Sequence, residues 1–158
     1  MSERAHSVTT HGEGQTAALA ARLAAALRPG DVVALRGELG AGKTRFVRGL
    51  AAALGADSTL VSSPTFVLAN HYACDGSQGV AELVHIDAYR VRSAEELEWA
   101  GWDALAAGGA VLAVEWAERA GAILPPPGER FEVLLEHAGE ESRRVTVRWP
   151  RGRGVDFS

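Results

Sequence analysis

The chain has 158 residues and a net charge of −4 at pH 7, with 47% hydrophobic and 23% charged residues. This balance is typical of a folded protein and excludes a wholly disordered chain. The length favours a single domain, which we place at residues 1–150, followed by a flexible tail at 151–158. No apolar run reaches the roughly 18–20 residues of a membrane span. The one cysteine, Cys74, rules out an internal disulfide, so we expect a cytoplasmic protein with no membrane partner.

Strand and helix patterns alternate in the first half of the chain. A hydroxyl residue at position 10 and a carboxylate at position 13 fit a capping box that opens a helix. A short β-branched apolar segment is typical of a buried strand, and it leads into a glycine-rich loop. The predicted elements are a strand at 5–9, a helix from 10–13 up to 29–30, a strand at 31–36 and a helix at 43–54.

The second half continues this alternation and adds antiparallel features. Ser62–Thr65 is predicted as a turn, and Ser93–Glu96 fits a second capping box that opens a helix toward Trp99. The remaining predicted strands lie at 66–73, 80–87 and 110–114, followed by a terminal hairpin of two strands at 131–136 and 143–149. Opposite charges alternate on the outer face of this hairpin. The fold class that follows is α/β, with a mainly parallel central sheet, antiparallel additions and flanking helices.

The glycine-rich loop, Gly37-Glu-Leu-Gly-Ala-Gly-Lys-Thr44, fits the phosphate-binding loop pattern between a strand and a helix. Its glycines allow the backbone N–H groups to converge on phosphate oxygens, and the helix that follows points its positive end at the same anion. Lys43 would neutralise the outer phosphates, and the hydroxyl of Thr44 would bind Mg²⁺. The alternative is an ordinary glycine-rich turn. The candidate nucleotide-binding residues are Glu38, Leu39, Gly40, Ala41, Gly42, Lys43, Thr44 and Trp116.

Lysine usage supports the phosphate site. Of the 16 basic residues, 15 are arginine and one is Lys43, at the position where a compact ammonium is wanted. The guanine-reading element of common GTPases, Asn/Thr-Lys-x-Asp, needs a second lysine, so ATP is favoured over GTP. Trp116 could stack on the base, or it could be a core tryptophan.

Two carboxylates follow apolar strands, Asp87 after Leu-Val-His-Ile and Glu115 after Val-Leu-Ala-Val. Ligands of open α/β sheets gather at the carboxyl ends of strands, so both could face the phosphates. One would hold Mg²⁺ together with Thr44 while the other polarises the attacking water, or both are simply solvated. His85 is interpreted as a packed or surface histidine, because no His/Cys cluster accompanies it.

A hydroxyl of the Ser63-Pro64-Thr65 segment could contact the γ-phosphate and order its surroundings; the alternative is an ordinary Ser/Pro turn.

Four motifs, in their order and spacing, resemble the bacterial TsaE (YjeE) family, and the match runs from about Thr10 to Trp149. The three motifs after the phosphate loop are more specific than the loop, which many NTPases share. The four motifs are Gly37-Glu-Leu-Gly-Ala-Gly-Lys-Thr44, Ser63-Pro-Thr-Phe66, His85-Ile-Asp-Ala-Tyr-Arg90 and Glu115-Trp-Ala-Glu-Arg119.

The resemblance implies a P-loop ATPase that uses Mg²⁺ and works with the TsaB and TsaD proteins. Those partners attach a threonylcarbamoyl group to N6 of the adenosine at position 37 of tRNAs that read ANN codons. The ATPase does not itself transfer the group and would meet tRNA only through the complex. The matching functional positions are Lys43 and Thr44 in the loop, Thr65 as a switch-like residue, Asp87, Glu115, and Trp116 beside the nucleotide.

The chain departs from the family's frequent residues at Arg45, His71 and Ala117, none of which is a proposed phosphate or metal ligand. Two other functions are compatible with the loop. One is a P-loop small-molecule kinase, although no Arg-rich lid is apparent. The other is a binding module that uses nucleotide only for folding. The arginines of the last strand and tail, Arg143 among them, could meet tRNA phosphates, but such residues are more often a solvated edge.

Overall fold

A computed structural model of the protein describes residues 4–38, 40–61, 69–99 and 101–158. Seven strands and four α-helices lie in these ranges, with three short 3₁₀ turns at Ser58–Leu60, Ala117–Arg119 and Gly121–Ile123. The strands are β1 (Ala5–His11), β2 (Val32–Gly37), β3 (Ala69–Ala73), β4 (Glu82–Asp87), β5 (Val111–Glu115), β6 (Phe131–His137) and β7 (Ser142–Arg148). The helices are α1 (Glu13–Ala24), α2 (Lys43–Ala53), α3 (Ala94–Trp99) and α4 (Trp102–Ala107).

All seven strands form one sheet in the order β1-β7-β6-β2-β5-β4-β3. The central strands β6, β2, β5 and β4 run parallel, and β1, β7 and β3 are antiparallel to their neighbours. The predicted α/β class, with a mainly parallel centre and antiparallel additions, is therefore confirmed. Because β2 lies between β6 and β5, the loop that follows it emerges in the middle of the sheet.

Each face of the sheet carries its own apolar core. Leu35 on β2 and Phe46 on α2 belong to the core on the side of α1 and α2. Ala34 and Ile86 belong to the core on the other side, together with Trp102 of α4. Successive residues of a strand point to opposite faces, so a strand covered on both sides must be apolar throughout. This explains the continuous apolar runs that identified these strands in the sequence.

The beginning of α1 differs from the predicted capping box. Thr10 belongs to β1, which pairs with β7 as far as His11, and the helix starts at Glu13 with Gly12 as its N-cap. The Thr10 hydroxyl lies 2.8 Å from the Thr16 hydroxyl, and within the described residues the N-cap of this helix has no side-chain capping hydrogen bond. The prediction of a capping box was wrong because pairing with β7 keeps Thr10 extended, which the local sequence does not reveal.

The end of α1 also differs, since the helix ends at Ala24, before the predicted stop at Pro29-Gly30. The side-chain amide of Gln78 donates to the carbonyl of Ala24, which also accepts from the N–H of Leu27, and to the carbonyl of Leu27 just beyond the helix. Contacts between residues so distant in the chain are invisible to a local pattern.

The two predicted hairpins are present. β3 and β4 pair antiparallel around the Cys74–Gly79 turn, and β4 starts at Glu82, two residues later than predicted. The predicted turn at 62–65 and the first residues of the predicted strand at 66–73 lie outside the described ranges. In the β6–β7 hairpin, Glu132 lies opposite Arg148 and Glu136 opposite Arg144, as the alternating charges predicted.

The tail contacts the body of the protein. Arg153 donates two hydrogen bonds to the carboxylate of Asp31, at 2.9 and 2.8 Å, and the ring of Phe157 stacks on that of His6. The flexibility of residues 151–158 and the domain limit at residue 150 stay predictions. No helix in the described part of the chain is both long and apolar enough to span a membrane.

Candidate phosphate-binding site

The glycine-rich loop joins the end of β2 to the start of α2, in the middle of the sheet. At Gly37, a Cβ atom would lie 2.5 Å from the backbone oxygen of Leu135 on β6, so no larger residue fits there. Gly42 is the N-cap of α2 with φ of 102°, a left-handed conformation that favours glycine. The sequence therefore places glycine where β6 crowds the loop and where the loop turns into the helix.

Lys43 is the first residue of α2, and its side chain folds back over the loop. Its ammonium donates to the backbone oxygens of Gly37, at 2.6 Å, and Glu38, at 3.0 Å. Burial lowers the pKa of Lys43, while the nearby carboxylates Glu115, Glu118 and Asp87 partly oppose that effect. The ammonium thus lies at the mouth of the loop, in a place where acceptors on the loop and surrounding negative charge offset only part of its desolvation.

The next residue connects the loop to the neighbouring strand. The hydroxyl of Thr44 lies 3.1 Å from each carboxylate oxygen of Glu115, which is the last residue of β5 and is only 3% exposed. The same carboxylate accepts a hydrogen bond from Nε2 of His85, a fully buried residue of β4. Nδ1 of His85 has no hydrogen-bond partner in the described part of the chain. Glu115 is therefore fixed from two sides.

Asp87 ends β4 directly beside Glu115 in the parallel register. One of its oxygens accepts from the backbone N–H of Tyr89 at 2.9 Å. Burial raises the pKa of Asp87, and the neighbouring carboxylate of Glu115 adds to this, while the N–H of Tyr89 opposes it. The carboxylates of Asp87 and Glu115 therefore lie side by side at the carboxyl ends of β4 and β5. Glu115 also contacts Thr44, at the start of α2.

Trp116 follows Glu115 and turns the chain away from the sheet. With φ of 55°, it is the one non-glycine residue with a positive φ in the described ranges. Its ring lies 4.1 Å from the ammonium of Lys43 and packs against the ring of Tyr89, with centroids 4.9 Å apart. Trp116 is partly buried, so it is neither fully in the core nor free of neighbours.

The structure brings together Lys43, Thr44, Asp87, Glu115 and Trp116, which the sequence analysis selected separately. Of the other selected loop residues, Glu38 accepts from the ammonium of Lys43, and Gly40 and Ala41 accept from Arg143. Leu39 and Thr65 lie outside the described residues.

Two contributors to the site were missed from the sequence. His85 was interpreted as a packed or surface histidine; it is packed and fully buried, but its contact with Glu115 was not foreseen. A signal existed, because residues two apart on a strand share a face and His85 therefore lies on the same side as Asp87. The role of Arg143 left no signal in the local sequence.

A phosphate-loop pattern after a central parallel strand, together with carboxylates at the ends of adjacent strands, defines a P-loop NTPase-like protein. The comparisons agree with this class. The family model described as "Threonylcarbamoyl adenosine biosynthesis protein TsaE" matches residues 10–145. A Bacillus subtilis protein named "tRNA threonylcarbamoyladenosine biosynthesis protein TsaE" is 40% identical over 132 residues, covering 84% of this chain and 78% of its own length.

An Aquifex aeolicus protein of the same name is 42% identical over 113 residues, which cover 71% of this chain and 77% of that protein. A solved structure described as the crystal structure of YdiB from Bacillus subtilis superimposes with a TM-score of 0.70 at 33% identity. It covers 93% of this chain and 86% of the solved chain. The chain belongs to the TsaE family, as its four sequence motifs suggested.

Proposed function

We propose that this protein is the ATP-binding and ATP-hydrolysing subunit required to form threonylcarbamoyladenosine at position 37 of tRNAs that read ANN codons. Membership of the TsaE family and the printed names of the relatives support this proposal. It acts with TsaD and TsaB and does not itself transfer the threonylcarbamoyl group. It meets tRNA through that complex, in the cytoplasm.

The observation that carries the ATPase function is the link between the loop and the strand ends. Thr44, at the start of α2, contacts Glu115 at the end of β5, and Asp87 lies beside Glu115. A hydroxyl and two carboxylates next to a phosphate loop are oxygen donors of the kind that Mg²⁺ binds. In the described residues no group of three His, Cys, Asp or Glu side chains could hold a metal alone. This fits an ion that takes its remaining ligands from Thr44, phosphate oxygens and water.

The residues of this chain would divide the work as follows. The loop amides of residues 38–42 and the start of α2 would bind the phosphates, and the ammonium of Lys43 would neutralise their charge. Thr44 holds the metal ion. ATP bound with Mg²⁺ supplies the phosphoanhydride bond and the cation that offsets the charge of the phosphates.

Asp87 and Glu115 share the two remaining tasks, holding the metal directly or through water and polarising the attacking water. Glu115 is buried and held by both Thr44 and His85, which suits a group that must keep one orientation. Thr65 serves as the switch-like contact to the γ-phosphate, and Trp116 flanks the nucleotide.

Titration calorimetry with ATP and Mg²⁺ tests the binding step, and phosphate release tests hydrolysis. We expect binding, slow hydrolysis by the protein alone and faster hydrolysis when TsaB and TsaD are added. Absence of ATP binding both alone and with the partners would overturn the proposal. A screen of nucleosides and small alcohols separates the kinase alternative, which requires phosphate transfer to run faster than hydrolysis.

A further inference from the structure

The side chain of Arg143, on β7, reaches the outer side of the phosphate loop. Its Nε donates to the backbone oxygen of Ala41 at 3.1 Å, and its Nη2 lies 3.3 Å from the backbone oxygen of Gly40. Nη1 donates to the backbone oxygen of Ser142 at 2.9 Å and approaches those of Gly139 and Glu140. One guanidinium thus joins two loop carbonyls to the turn of the β6–β7 hairpin.

These contacts bear on the geometry of the loop because the C=O and N–H of one peptide group lie in the same plane and point in opposite directions. In an anion-binding loop, an N–H group that faces a phosphate shares its peptide plane with a carbonyl that faces away. In this loop the carbonyls of Gly37 and Glu38 face Lys43, and those of Gly40 and Ala41 face Arg143. A carbonyl that accepts from a fixed donor holds its peptide plane, and with it the N–H group of the next residue, in one orientation. The N–H groups concerned are those of Ala41, which also donates to the backbone oxygen of Glu38 at 3.0 Å, and of Gly42. Arginine suits this task because its planar fork offers five donors in a rigid arrangement.

The backbone of Arg143 lies in an interior strand of the sheet. Its backbone is paired on both sides, with Thr10 of β1 and with His137 of β6. The Thr10 hydroxyl also donates to its backbone oxygen at 3.4 Å. The guanidinium is therefore carried by an interior strand of the sheet and not by a mobile edge, so it can position the loop more firmly than a loop residue could.

We propose that Arg143 is a positioning residue of the phosphate site, which fixes the peptide planes that carry the amides of Ala41 and Gly42 by holding the carbonyls of Gly40 and Ala41. The inference rests on the proposed ATP binding. It also gives this arginine a role at the ATP site, in place of the tRNA contact considered from the sequence.

The test compares Arg143→Gln and Arg143→Lys with the wild-type protein. Arg144→Gln is the matched control, because Arg144 is the next residue of β7 and is exposed. Dissociation constants are measured by calorimetry for ATP with Mg²⁺ and for inorganic tripolyphosphate with Mg²⁺. Arg143→Gln should weaken both probes by about tenfold, since it removes charge-assisted hydrogen bonds. Arg143→Lys should be intermediate, and Arg144→Gln should bind like the wild type.

Hydrogen exchange of the unliganded proteins separates a positioning role from a merely structural one. We expect faster exchange of the amides of Ala41 and Gly42 in Arg143→Lys, because these share peptide planes with the carbonyls that Arg143 holds. Faster exchange confined to residues 138–142, with wild-type affinity for both probes, would overturn the inference. If Arg143→Gln does not fold, Arg143→Lys decides the question alone. Failure of the wild type to bind ATP would instead count against the proposed function.

Discussion

The hydroxyl of Thr44 lies at hydrogen-bond distance from both carboxylate oxygens of Glu115, 71 residues further along the chain. This contact connects the first turn of α2 to the end of β5, and so joins the phosphate loop to the edge of the sheet where the acidic residues stand. A metal ion at this point would meet the hydroxyl and the carboxylate together. The first two predictions concern the phosphate loop and the carboxylates that it meets at the edge of the sheet.

Replacing Lys43 with alanine should weaken ATP binding at least about tenfold, because the variant loses the ammonium of the single lysine in the sequence. Calorimetry with ATP and Mg²⁺ measures the effect, and thermal unfolding confirms that the variant is folded. Arg45→Gln is a suitable control, because Arg45 also lies in the first turn of α2 but is exposed and paired with Glu13. Wild-type affinity in Lys43→Ala would contradict the assignment of the loop.

Glu115→Gln should retain ATP binding within about threefold, while hydrolysis falls about a hundredfold. The amide oxygen can still accept from Thr44, but it cannot polarise water as a carboxylate does. Asp87→Asn should also slow hydrolysis. Repeating the calorimetry with and without Mg²⁺ divides the roles, since the variant that loses the Mg²⁺ dependence of binding has lost the metal-holding group. Unchanged hydrolysis in both variants would remove their catalytic assignment.

Gly49→Ala should destabilise the protein by about 1–3 kcal/mol, although alanine favours helices. A Cβ at this position of α2 would lie 2.8 Å from the Cβ of Ala20 and 3.2 Å from the Cα of Ala17, so α1 would have to move away. Gly14→Ala in α1 is the control: its Cβ would meet nothing within 4 Å, and it should stabilise by about 0.5–1 kcal/mol. Urea unfolding of both variants measures the difference, and equal stabilities would contradict the close packing.

The ion pair of Arg153 and Asp31 should contribute a measurable coupling energy. Both side chains are largely buried, at 16% and 14% exposed, and Arg153 also donates to the backbone oxygen of Ala26 at 2.8 Å. A double-mutant cycle with Arg153→Gln and Asp31→Asn should give about 1–2 kcal/mol. The exposed pair of Arg45 and Glu13 should give about 0.5 kcal/mol or less. A coupling of zero for Arg153 would favour the flexible tail predicted from the sequence.

The thiol of Cys74 should react slowly with iodoacetamide at neutral pH. Burial raises its pKa, and the carboxylates of Asp75 and Glu82 raise it further, so less of the reactive thiolate is present at a given pH than for an ordinary cysteine. The rate should rise with pH and remain below that of the unfolded protein, which serves as the reference, until high pH. Equal rates in folded and unfolded protein at neutral pH would contradict this prediction.

Local patterns predicted the parts of the fold that depend on local physics. The continuous apolar run of β2 and the alternating charges of the β6–β7 hairpin identified these strands, because burial on one or both faces dictates their residue types. The glycines and Lys43 identified the phosphate loop for the same kind of reason. The sequence predicted the fold class but not the order of the strands, because no local feature specifies that β6 lies beside β2.

Features that depend on distant contacts were missed. Thr10 was assigned to a helix cap because the pairing of β1 with β7 cannot be read from the neighbours of Thr10. The contacts of Arg143 with the loop, over about a hundred residues of chain, have the same origin. His85 is an intermediate case, because strand alternation places it on the face of Asp87 but not against Glu115.

The side-by-side placement of Asp87 and Glu115 has a consequence for how such a protein tolerates change. Their spacing is set by the hydrogen-bond ladder between β4 and β5, and a slip of one residue would put Ile86 or Ala88 beside Glu115 instead. The length of the chain segment that connects β4 to β5 does not affect the distance between the two carboxylates. Insertions and deletions in that connection can therefore accumulate during evolution without changing the relative position of Asp87 and Glu115. A single residue gained or lost inside either strand would shift the register and separate the two carboxylates.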